Sequence, residues 1–114
     1  AELGGGARKR LARANALHEA RDYAAALAIY QTLASSWRDT DIGDAAEEKV
    51  RAYRTPEMRR ELAAFASLQS LEQKLANANA GGAQRVRAYR EFAKRAEGTA
   101  AGDRANDLAA ALEE

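Results

Sequence analysis

Apolar residues return along this chain at intervals of three and four, the period of amphipathic helices. Over residues 7–21 they fall at Ala7, Leu11, Ala14 and Leu17/His18. Over 22–37 the stripe is Tyr23, Leu27, Tyr30, Ala34 and Trp37, widened by Ala26, Ile29 and Leu33, which makes the second helix the most apolar. Arg38 and Asp39 break the pattern. Thr40 is an N-cap, with Asp41 in the first turn to meet the helix dipole, and the third helix carries Ile42, Ala46, Val50 and Tyr53 inward. Thr55, Pro56 and Glu57 then mark a boundary: threonine caps, and proline takes the first helical position, where its missing N–H costs nothing. The alternative is one kinked helix over 40–78. The fourth helix buries Met58, Leu62, Phe65, Leu68, Leu71 and Leu75 and frays into 77–82. The fifth, from Ala83, points Val86, Tyr89, Phe92/Ala93 and Ala96 inward; Gly98 stops it, Thr99 caps the sixth, and Ala101, Ala105, Leu108 and Leu112 face the core. Six helices with short joints leave no room for a sheet, so the chain is all-α.

Length and composition fit that pattern. At 114 residues the chain has the size of one domain, residues 7–114, and buries roughly 65% of its unfolded surface without needing a disulfide or metal. Residues 1–6, with three consecutive glycines, predict a flexible linker from an upstream domain or an expression remnant. Hydrophobic residues make up 46%, mostly alanine, the best helix former. Eighteen basic residues against seventeen acidic give a net charge of +1, without the basic surplus of a nucleic-acid binder. The basic runs at 7–13 and 85–95 are interrupted by apolar residues at helical spacing, as on the flanks of amphipathic helices. The longest apolar window, 24–30, is far below the ~20 residues a membrane span needs, so membrane insertion is not expected.

The chain repeats itself. Shifted from Tyr30 onto Tyr89, its two halves share Tyr30/Tyr89, Ala34/Ala93, Thr40/Thr99, Gly43/Gly102, Asp44/Asp103, Ala46/Ala105 and Ala52/Ala111. The ungapped T-x-x-G-D-x-A element exceeds what alanine richness explains. Threonine caps the helix there, and glycine with alanine three residues on keeps one face small for close packing. Repeat one covers 7–54 and repeat two 56–113, as in a stack of duplicated helical hairpins.

The stretch RDYAAALAIYQTLA, residues 21–34, resembles the hairpin junction of bacterial tetratricopeptide-like (TPR-like) proteins, with Asp22, Tyr23, Ala26, Leu27 and Tyr30 at that family's turn, packing and small-residue positions. Arg21 stands in place of the usual glycine, no proline follows Trp37, and Gly81 and Gly82 replace Asp22 and Tyr23 in the second copy. The resemblance implies antiparallel helical hairpins stacked as a short right-handed superhelix of about six helices in two three-helix repeats. It also implies a groove lined by the first helix of each hairpin, which places Asn15, His18 and Asp22 at the binding surface.

Candidate chemistry is sparse. His18 is the single histidine and cysteine is absent, so a zinc site lacks ligands, and neither a metal nor a cofactor is expected. The carboxylate pairs Glu47/Glu48, Glu113/Glu114 and Asp103/Asp107 lack a flanking apolar pocket that would raise a pKa for acid–base work. The serines of Ser67-x-x-Ser70 and Ser35-Ser36 have no base nearby, and the glycine pairs lack the lysine and hydroxyl of a phosphate loop. The aromatics recur at helical spacing as core, Trp37 being the one placed to sit partly exposed. The sequence therefore predicts a non-catalytic protein–protein interaction module, part of a larger protein. Its expected partner is a protein or peptide segment or another copy of itself, with no nucleic acid and no small-molecule substrate. A structural homo-oligomerisation domain is the alternative.

Overall fold

The computed structural model describes residues 3–114, and these form six α-helices and no strand: α1 (Leu3–Glu19), α2 (Tyr23–Ser36), α3 (Asp41–Ala52), α4 (Pro56–Asn77), α5 (Gly82–Arg95) and α6 (Ala100–Glu113). Helix α1 begins at Leu3, so Gly4, Gly5 and Gly6 belong to its first turns instead of to a free linker; Ala1 and Glu2 lie outside the described residues. First-turn amides have no intrahelical partner in any helix, which makes that end the cheapest place for glycine. Thr55 and Pro56 open a new helix, as their order predicts. The Met58 N–H donates to Thr55 Oγ1 at 3.3 Å, and the single kinked helix over 40–78 does not form.

The chain divides into two compact units, Ala1–Arg59 and Arg60–Glu114, the division falling inside α4. In the first, α2 packs on both α1 and α3. Small residues permit the close approach: Ala14, Ala26 and Ala46 are fully buried alongside Tyr30 and Leu33. In the second, Leu68 and Leu75 of α4 join Tyr89, Phe92 and Ala93 of α5 and Ala101, Ala105 and Ala109 of α6 in one core.

The joints repeat in atomic detail. Helices α1 and α4 are both followed, two residues on, by a left-handed residue, Arg21 (φ 64°) and Asn79 (φ 51°). Around each, the next amide reaches back to the last turn: Asp22 N–H donates to the Leu17 carbonyl at 2.8 Å, and Ala80 N–H to Leu75 at 3.0 Å. Arg21 thus takes the backbone conformation for which glycine is the usual choice. At the α2–α3 and α5–α6 joints the left-handed residues are Asp39 and Gly98. Thr40 Oγ1 then accepts from Gly43 N–H at 3.1 Å and donates to the Trp37 carbonyl at 2.5 Å. Thr99 does the same with Gly102 and Ala96, at 3.0 and 2.6 Å. The glycine is required by this geometry. A Cβ on Gly43 would sit 1.9 Å from the Trp37 carbonyl oxygen, and one on Gly102 2.4 Å from that of Ala96.

One inward expectation is corrected. Leu112 is 45% exposed. Its counterpart in the first unit is Tyr53, which is buried beneath His18 and Tyr23. The second unit carries Ala76 at the place of His18, counted from the α1 and α4 joints, and Gly82 at the place of Tyr23, counted from the Tyr30/Tyr89 pairing.

Candidate functional site

Within unit one, α1, α2 and the end of α3 bring His18, Tyr23, Tyr30 and Tyr53 together. The His18 ring meets Tyr23 and Tyr53 edge-on, with centroids 5.2 and 5.5 Å apart, and Tyr53 lies 6.1–6.2 Å from Tyr30 and Tyr23. These are favourable aromatic geometries. His18 Nδ1 and the Tyr53 hydroxyl share a hydrogen bond of 2.6 Å, and the Tyr30 hydroxyl donates to Asn15 Oδ1 at 2.5 Å. Burial raises the pKa of Tyr53, with Tyr30 and Tyr23 adding to it; burial and then the Glu19 charge raise that of Tyr30. Both phenols therefore hold their protons past the ordinary tyrosine pKa.

This cluster takes in two of the three site residues that the resemblance implied, Asn15 and His18. Asn15 is exposed, yet its amide oxygen holds Tyr30. His18 is half-buried and bonded to Tyr53. Asp22 is the N-cap of α2, its backbone carbonyl accepting from Ala26 N–H at 3.1 Å, while its side chain makes no capping bond. The structure brings Asn15 and His18 onto one cluster of tyrosines, where each orients a phenol. Among the described residues, no three His, Asp or Glu side chains converge as metal ligands, and no helix is long and apolar enough to cross a membrane.

A second place was not singled out by the sequence. Between α4 and α5, unit two holds an open cleft of about 520 Å³. Its floor is Ala63, Ala64 and Leu71 of α4 against Phe92 and Ala96 at the end of α5; Ser67, Ser70 and Thr99 contribute hydroxyls. Its rim carries Arg60, Lys74 and Arg95, and no acidic side chain lines it. On α4 the lining includes the small side chains of Ala63, Ser67 and Ser70.

Two bonds pin the Arg60 end of the cleft. Arg60 donates to the Glu97 carbonyl at 2.7 Å, and the Glu61 carboxylate accepts the Ala100 N–H at 3.0 and 3.2 Å. Glu61 thereby satisfies one of the free amides at the start of α6. Lys74 and Arg95 enter no ion pair among the described residues. The sequence signal for this site was present in two pieces. Ser67-x-x-Ser70 lies one turn from Lys74, and the basic run at 85–95 ends at Arg95, but only the packing of α4 on α5 joins them.

Comparison of the chain with protein-family models, with characterised proteins and with solved structures yields no match.

Proposed function

We propose that this chain is a non-catalytic protein–protein interaction module of tetratricopeptide-like type, its helical hairpins stacked as a short superhelix. One observation carries the reading. The threonine–glycine joints recur in both units with the same hydrogen bonds, while other positions between the helices differ, Tyr53 against Leu112 and Tyr23 against Gly82 among them. A duplicated scaffold with divergent surfaces is how repeat proteins present distinct binding faces on a common frame. The absence of catalysis is supported by the commitment of His18, Tyr30, Tyr53 and Asn15 to one another.

The experiment is a peptide-display selection on the purified chain, paired with sedimentation velocity at micromolar concentration. The reading expects a monomer that retains a defined set of peptides. A second reading, homo-oligomerisation, draws on the exposed Leu112 of α6. It expects a dimer that Leu112→Glu returns to monomer. A monomer that retains no peptide contradicts both.

A further inference from the structure

We infer that the α4–α5 cleft binds an extended, acidic peptide segment carrying small apolar side chains; this rests on the interaction-module reading above. Charge sets the sign of the occupant. Arg60, Lys74 and Arg95 ring the opening with no carboxylate among the lining side chains, in a chain whose overall charge is only +1. Lys74 and Arg95, which enter no ion pair among the described residues, and Arg60, whose bond is to a neutral carbonyl, set a positive potential along the cleft. Arg60 uses one guanidinium N–H on the Glu97 carbonyl and keeps donors for a carboxylate.

Size and shape set the rest. A helix rises about 1.5 Å per residue, so the stretch of α4 from Arg60 to Lys74 runs roughly 20 Å. An extended segment of about six residues spans that distance. The floor of alanine, with Ser67 and Ser70 between, accepts methyl-sized side chains and offers hydroxyls to a peptide backbone. A nucleic-acid strand fits the floor less well. The one aromatic there, Phe92, is 5% exposed, and Thr99 beside it is 1% exposed, so no ring face is available for base stacking. Arg60 and Glu61 also tie the start of α4 to the α5–α6 joint at one end of the cleft, which limits what binding must order there.

The test uses fluorescence anisotropy on the full chain with a labelled hexamer of alternating Glu and Ala. Comparison probes are its Lys–Ala counterpart and a six-nucleotide thymidine strand. The expected result is saturable binding of the acidic hexamer alone, weakened at least tenfold in the exposed-site double variant Lys74→Glu/Arg95→Glu and weakened by added salt. The control Lys9→Glu/Arg13→Glu, on α1, leaves binding within twofold, and circular dichroism shows both variants folded. Equal binding of the thymidine strand, or acidic-hexamer binding that survives the double variant, overturns the inference. If the display selection yields peptides whose binding the double variant leaves unchanged, the cleft assignment falls while the interaction-module reading stands. If no peptide of any charge is retained, both fall.

Discussion

At the scale of single residues, Gly43 and Gly102 show why helix propensity alone misjudges this chain. Alanine in place of a helical glycine ordinarily stabilises by up to about 1 kcal/mol. At these two positions the added methyl meets a backbone carbonyl, at 1.9 and 2.4 Å, which cannot rotate away as a side chain would. Gly43→Ala and Gly102→Ala are therefore expected to destabilise by about 1–3 kcal/mol, the range of overpacked sites. Gly82→Ala, with nothing within 4 Å of its added carbon, is expected to be neutral or stabilising. Urea denaturation of the three variants checks the pattern; a neutral Gly43→Ala would mean that the α2–α3 joint is looser than its geometry. This element was legible in the sequence because cap, close approach and first-turn acid fall within a few residues of one another. The left-handed Arg21 was not, since arginine does not announce that conformation, whereas Asp39 is of a type enriched in it.

At the scale of elements, the six helices and the break at Thr55 were readable from period and caps. The side-chain partnerships between helices were not. His18 lies 35 positions from Tyr53. No local pattern shows that these two would share a hydrogen bond, or that Asn15 would serve Tyr30. The consequence is a pH dependence carried by one end of α1, α2 and α3. Tyr53 and Tyr30 have folded pKa values raised above the ordinary 10.0, by burial first. Below pH 10 both phenols are neutral in the folded and unfolded chains, and their contribution to stability is fully present. As pH climbs past 10 the unfolded chain releases those protons while the folded chain holds them, so stability falls toward the folded pKa. Thermal melts from pH 8 to 11.5 should show a decline beginning near pH 10. Tyr53→Phe, which cannot ionise, should show a shallower one. An equal slope in that variant would place the alkaline sensitivity elsewhere.

At the scale of the whole molecule, the two units share their threonine–glycine joints and part in what fills the space between their helices. The joints are kept, because a threonine that caps one helix and holds the carbonyl of the helix before it tolerates few substitutes. The spaces between helices are free to vary. Unit one fills its space with four aromatic rings, counting His18; unit two has Ala76, Gly82 and Leu112 at three of the corresponding positions and opens a basic cleft along α4. The sequence resemblance pointed to Asn15, His18 and Asp22 because the first copy preserves the hairpin pattern best. That same preservation engages Asn15 and His18 in internal hydrogen bonds. The cleft was illegible because small residues on α4 look like helix surface until α5 is laid beside them. Amide chemical-shift mapping during titration with the acidic Glu–Ala hexamer tests this account most directly. The account predicts saturable shifts centred on Ser67, Ser70, Lys74 and Arg95, with Asn15 and His18 unmoved. Shifts centred on Asn15, His18 and Asp22, or none that saturate, would contradict it.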